Sequence, residues 1–200
     1  MDNISEKLIF NSDVLASKIL KGTVALFPTD TVAAIGASPN HSYKIWDLKR
    51  RPKEKPLILM GSSSDQLLNF VMPFALKDAM LMAEKYWPGP LTLVLPFSGK
   101  HLDSLNPGKN TIGMRVPGCD LVKALLRDTG PLATTSANLS GELPSLTANS
   151  ASSYFPDLPL LGPVPWAECS GLASTLISWK SSGCWQIIRK GAVIPEEVDG

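Results

Sequence analysis

Cysteine is scarce in this chain. Cys119, Cys169 and Cys184 are an odd number with no CxxC spacing, which argues against both a disulfide framework and a zinc site. Histidine is scarcer, with only His41 and His101 and no second ligand at metal spacing, which leaves little for a Ser-His relay or a protein-built metal centre. The phosphate loop GxxxxGK, the dinucleotide fingerprint GxGxxG and the nucleophile elbow GxSxG are all missing. Apolar runs such as Leu91 to Pro96 are strand-sized, so none spans a bilayer. Neither sign of charge is in excess. With 19 Lys and Arg against 18 Asp and Glu, bulk charge gives no reason to expect nucleic acid, membrane or acidic substrates. Residues Met1 to Lys7 hold no basic patch followed by an apolar run, so no secretory signal is read and a cytoplasmic location is expected.

What is present fits one folded domain. The 200 residues are 44% apolar and 18% charged, and a core of that size buries roughly 70% of the surface of its unfolded chain. Short β-rich runs alternate with helix-length amphipathic stretches, which reads as α/β. Asn11 to Asp13 offer an N-cap to a helix ending at Gly22, and Thr23 to Phe27 follow as a strand. A helix through Tyr43 to Leu48, capped by Ser42, must stop near Pro52, and Leu57 to Met60 form the next strand. Ser64 or Asp65 caps a short helix to Phe70, and Phe74 to Trp87 suits a longer one. Beyond Trp87-Pro88-Gly89-Pro90 the pattern predicts strands over Leu91 to Leu95, Thr111 to Val116 and Leu132 to Thr135, with a helix over Asp120 to Thr129. Ser136 to Pro165 read mostly as loop, with a short helix near Thr147 to Tyr154. Leu172 to Trp179 and Cys184 to Arg189 close the chain as strands. Leu91 to Leu95 look apolar on both faces, as in a sheet covered by helices.

Three constellations can carry chemistry. Lys44, Lys49, Arg50, Arg51, Lys53 and Lys55 stand against only Asp47 and Glu54, a local excess of positive charge in a neutral chain. Such a cluster is either an anion site or a solvated helix terminus whose cations favour the C-terminal dipole. Hydroxyl and amide groups recur at strand ends, in Thr29-Asp30-Thr31, Thr134-Thr135-Ser136-Ala137-Asn138 and Ser174-Thr175. They suit a ligand crevice, and equally suit turn chemistry. Arg115 lies inside an apolar β run, so it must meet either a protein carboxylate or a ligand anion.

Several runs occur in a characteristic order: Pro28-Thr29-Asp30-Thr31, Lys49-x-Arg51-Pro52 with Lys55-Pro56-Leu57, and Trp87-Pro88-Gly89-Pro90-Leu91-Thr92. Arg115-Val116-Pro117, Ser136-Ala137-Asn138-Leu139-Ser140-Gly141, Ser174-Thr175 and Arg189-x-Gly191 complete the series. In order and spacing the chain resembles the YrdC/Sua5 family over residues 10–195, with short tails at 1–9 and 196–200. The resemblance implies a single α/β domain, a twisted and largely open mixed sheet flanked by helices around a concave basic cavity. It also implies synthesis of L-threonylcarbamoyl-adenylate from L-threonine, bicarbonate or CO2, and ATP. The threonylcarbamoyl group is then placed on adenosine 37 of tRNA by partner modification proteins.

Carried residue by residue, the resemblance gives Lys49 and Arg51 catalytic duty at the ATP phosphates. Lys55, Thr111, Ser136, Asn138 and Arg189 complete the ATP contacts. Thr31, Arg115, Thr134, Ser174 and Thr175 would hold threonine, with Arg115 on its carboxylate. Magnesium would arrive with ATP, held by phosphate and water and not by a protein carboxylate cage. The chain departs from the family pattern at Ala33, Ala34 and Met60, which remove an aromatic, a glycine and a polar side chain from the expected amino-acid pocket. Those departures keep a second reading open, a module that binds tRNA or double-stranded RNA through Lys44, Lys49, Arg50, Arg51, Lys53 and Lys55. The stretch from Gly141 to Pro165 is read as either a lid or a plain connector.

Overall fold

The computed structural model describes residues 8–198. Its strands are β1 (Ile9–Phe10), β2 (Ala25–Phe27), β3 (Ala34–Ala37), β4 (Ile58–Met60), β5 (Leu91–Pro96), β6 (Thr111–Arg115), β7 (Leu132–Ser136), β8 (Leu160–Leu161), β9 (Thr175–Ser181) and β10 (Cys184–Arg189). Its helices are α1 (Ser12–Leu20), α2 (Tyr43–Lys49), α3 (Ser64–Leu68), α4 (Pro73–Tyr86), α5 (Asp120–Thr129) and α6 (Ala148–Tyr154). Among the described residues the strands make one mixed sheet in the order β1-β8-β2-β3-β7-β4-β6-β5-β9-β10. The α/β class and the open mixed sheet flanked by helices agree with the sequence expectation.

The pleat explains how one sheet both holds the core and floors a cleft. Successive residues of a strand point to opposite faces. Register pairs Ile35 with Thr135, then Leu59 with Ala133, Met114 with Leu59, Leu93 with Met114 and Ile177 with Leu93. Ile35, Ala133, Leu59, Met114, Leu93 and Ile177 are fully buried in the main core, where Ala75, Ala79 and Met82 of α4 also lie. One residue along each strand, Thr134, Ile58, Gly113, Val94 and Ser178 are likewise paired across five strands, and all of them line the cleft. Val94 is half-buried there, so β5 is not covered by helices on both faces as the sequence suggested. A smaller second core joins Leu15, Ala16 and Ile19 of α1 to Val122, Leu125 and Leu126 of α5.

Local signals explain most element ends. Asn11 caps α1 by accepting from the Val14 amide, and Thr147 closes a capping box with Ser150 at the start of α6. Ser63, one residue before the expected cap, caps α3. Ser42 makes no side-chain cap for α2, because its hydroxyl pairs instead with Ser104 Oγ. Three strands went unexpected, β1, β3 and β8. The expected tails also shorten: Ile9 pairs with Leu160, and Val198 is buried in the main core. Their remaining parts, 1–7 and 199–200, lie outside the described residues. The 141–165 stretch is neither a lid nor a plain connector throughout, since it supplies α6 and β8 as well as Pro144 at the cleft.

The approach to β9 depends on Gly191. A methyl group there would sit 2.6 Å from Ser174 C and 2.7 Å from Thr175 N, and closer still to Ala173 O. All three are backbone atoms that no rotamer change can move. Gly191→Ala is expected to cost about 3 kcal/mol of stability, within the usual range for overpacking, as read by urea unfolding.

Candidate functional site

A cleft of about 640 Å³ lies on the sheet face that carries Ile58, Gly113 and Val94. Its length follows β6, where Thr111, Gly113 and Arg115 all face it. Four residues of strand separate the two ends by about 13 Å. Arg51, Lys55, Lys109, Arg115 and Arg189 contribute cationic side chains to the lining, and among the described residues no Asp or Glu does. The floor between them is apolar, with Met60 and Leu176 beside Ile58 and Val94.

Arg115 is 4% exposed and is bound by three acceptors on two segments at once. Its Nε donates to Gly89 O at 3.0 Å, one terminal nitrogen to Thr31 Oγ1 at 2.8 Å, and the other to Asp30 Oδ1 at 2.6 Å. Asp30 Oδ1 also accepts from the Gly118 amide at 2.9 Å. The two alternatives left by the sequence are therefore joined: Arg115 forms a structural ion pair and also borders the cleft. Burial pushes its pKa down while Asp30 opposes the shift. Thr31 also lines the cleft, but its hydroxyl is engaged by the protein. Thr29 Oγ1 donates to Val32 O at 2.6 Å, so Thr31 must donate to Thr29 while it accepts from Arg115.

At the other end Arg51 rests on carbonyls, with Nε on Lys55 O at 3.2 Å and a terminal nitrogen on Pro56 O at 3.0 Å. Between the two ends, Arg189 donates to Ser174 O at 2.7 Å. Burial and then the like charge of Arg189 depress the pKa of Arg51, and Arg189 also presses on Arg115. An arginine does not surrender its proton, so these shifts measure an electrostatic cost that an anion in the cleft would relieve.

Thr111, Ser136, Asn138, Thr134, Ser174 and Lys55 all border the cleft. Their free capacity differs. Asn138 is satisfied within its own turn, with Nδ2 on Leu139 O and Glu142 O, while Oδ1 accepts from Ser136 Oγ. Thr134 donates to Ile58 O, and Ser174 Oγ pairs with Thr92 Oγ1 at 2.8 Å.

Two expected ligands are elsewhere. Thr175 is fully buried and ties down the chain after β10, accepting from the Gly191 amide at 2.9 Å and donating to Val193 O. Lys49 is 1% exposed, does not line the cleft, and gives its ammonium to oxygens of Ser136 and Asn138. The cation cluster consequently divides. Lys44 reaches Gly22 O at 2.6 Å, Lys49 turns inward, Arg50 takes a left-handed cap at φ 50°, and Arg51 and Lys55 reach the cleft. With Lys53 exposed beyond them, these six side chains do not form one RNA-facing surface.

The departures from the family pattern also resolve. Ala33 packs into the main core, while Ala34 and Met60 face the cleft. Ala34 has no positive φ, since Arg50 is the non-glycine residue in that region among those described, so no glycine is needed at position 34. Sequence reasoning gave no role to Asp30, Thr92 or Lys109. A buried arginine calls for a carboxylate, and Asp30 lay within a quoted run. Lys109, in a loop, carried no signal.

Comparison with known proteins gives four likenesses. The model of a family described as telomere recombination, Sua5/YciO/YrdC, matches residues 17–191. The threonylcarbamoyl-AMP synthase of Idiomarina loihiensis is 36% identical over 147 residues, which cover 71% of this chain and 79% of that one. The Bacillus subtilis protein of the same name is 33% identical over 193 residues, or 92% of this chain and 54% of its own length. Pyrococcus abyssi Sua5, solved in complex with L-threonine, superposes with a TM-score of 0.83 at 28% identity, covering 92% of this chain and 57% of that one. This chain therefore spans little more than half of those two longer relatives.

The ion pair predicts a measurable cost. Asp30→Ala leaves the Arg115 guanidinium buried without its counter-charge, and removing one partner of such a pair costs about 3 kcal/mol or more. Chemical denaturation should show that loss. A change under about 0.5 kcal/mol would mean the pair does not hold the cleft.

Proposed function

The chain belongs to the Sua5/YciO/YrdC family, and from that premise we propose that it synthesises L-threonylcarbamoyl-adenylate. The threonine amine captures CO2 as a carbamate. A carbamate oxygen attacks the α-phosphorus of ATP, the bond to the bridging oxygen breaks, and pyrophosphate leaves with the electron pair. The nucleophile belongs to the substrate, so the protein needs no Ser-His or Cys-His pair. Its task is to align two anions and to stabilise the charge that grows on pyrophosphate.

The observation that carries this reading is a cleft lined, among the described residues, by five cationic side chains and no carboxylate. Arg51 and Lys55, with Arg189 acting on Arg51 from beside Ser174, suit a polyphosphate whose oxygens replace the repulsion between the two arginines. Arg115 and Ser174, at the far end of β6, suit the amino acid. The terminal nitrogens of Arg115 keep hydrogens beyond the two given to Asp30 and Thr31, and these can grip a carboxylate. Thr111 and Ser136 also line the cleft and offer hydroxyls to the nucleotide. Magnesium, which fits a cleft without carboxylates only as the ATP complex, would neutralise phosphate charge. The product would serve a transferase that places the threonylcarbamoyl group on tRNA adenosine.

Purified protein with ATP, magnesium and bicarbonate should release pyrophosphate only when threonine is added. Arg51→Ala and Arg189→Ala should each lower kcat/KM for ATP about 10- to 100-fold, the equivalent of one charge-assisted hydrogen bond. Folded protein that releases no more pyrophosphate with threonine than without it would defeat the proposal.

A further inference from the structure

Lys49 spends its charge inside the protein. Nζ donates to Ser136 O at 2.5 Å, to Asn138 O, and to Asn138 Oδ1 at 3.3 Å. An ammonium has three hydrogens, and three oxygens receive them. The backbone closes the same circuit, because the Ser140 amide donates to Lys49 O at 3.1 Å. The turn held in this way presents Ser136 and Asn138 at the cleft. Asn138 passes the constraint on through Nδ2 to Glu142 O at 2.6 Å, just before Pro144, which also lines the cleft.

We propose that Lys49 is a positioning residue: its ammonium fixes the 136–138 turn without touching the anion, and an anion beside Arg51 strengthens that hold by drawing a proton onto Lys49. The second clause rests on the polyphosphate reading of Arg51, whereas the first does not. The charge balance supports both. Burial, and then repulsion from Arg51, bring Lys49 from the usual 10.5 down to about 7. Arg51 is the charged side chain acting on it, and the groups it otherwise faces are neutral oxygens of Ser136 and Asn138. A neutral amine keeps two hydrogens and a lone pair, so one of the three oxygens would lose its donor and meet a second lone pair.

An anion at Arg51 cancels the repulsion and raises the proton affinity of Lys49. The bound state then holds more proton than the free state above pH 7, so anion binding takes up a fraction of a proton. Through this group, affinity falls as pH rises, by at most about tenfold per pH unit.

Amide hydrogen exchange on the intact chain tests the first clause. In Lys49→Met, exchange at residues 138–140 should rise tenfold or more while β6 keeps its protection, and KM for ATP should rise more than kcat falls. Unchanged protection at 138–140 overturns the proposal. Wild-type protein supplies the measurement if that variant does not fold. Nuclear magnetic resonance of the lysine ε-carbons should find one lysine titrating near pH 7, with 138–140 losing protection above that midpoint and the midpoint rising with magnesium-ATP. An ordinary lysine midpoint, or a midpoint unmoved while Arg51 and Arg189 signals respond to ATP, overturns the second clause. If those arginines ignore ATP, the polyphosphate reading fails, and the exchange at 138–140 still decides the role of Lys49.

Discussion

A guanidinium at the end of a central strand has to be answered from several sides, and Arg115 is answered from three. Gly89 supplies a carbonyl from one stretch of chain, while the neighbours Asp30 and Thr31 supply a carboxylate and a hydroxyl from another. The same carboxylate reaches the Gly118 amide, and the Asp30 and Thr31 carbonyls accept from Ser170 and Gly171. Segments far apart in sequence are thereby fixed around one charge. The cleft end beside Arg115 exists because burying that charge is tolerable only when every neighbour is in place.

Four cations in and behind the cleft thus show three conditions. Arg115 is compensated by a carboxylate, Lys49 is absorbed by neutral oxygens, and Arg51 with Arg189 rests on carbonyls without a counter-charge. Only the last condition leaves attraction to spare for a polyphosphate. The chemistry follows from that sorting more than from the number of basic residues, because a cation already matched adds little to the capture of another anion.

How far the sequence could be read depended on whether a signal was local. The helix Asp120–Thr129 matched its expected bounds, since its apolar face and the following Gly130 are written in adjacent residues. The strand Ala34–Ala37 went unseen because Ala-Ile-Gly-Ala has little β preference, and two flanking antiparallel strands impose its conformation. Lys49 was placed at the phosphates by family resemblance, although its spacing held a warning. It follows Ile45 by four residues, on the face of α2 that is buried. Periodicity could give that face, but not the carbonyls of a turn nearly ninety residues later. Asp30 shows the converse: the need for a carboxylate was legible, and its identity was a matter of tertiary approach.

The two faces of the sheet differ in what they carry by a single step along the chain. Met114 and Ile112 belong to the buried core, while Arg115, Gly113 and Thr111 belong to the cleft. Losing one residue inside β6 would exchange these sets, sending a guanidinium into hydrocarbon and a methionine toward the substrate. In this architecture the length of each central strand is therefore a stricter inheritance than its composition. Side chains may drift within their face, but insertions and deletions must be confined to the loops.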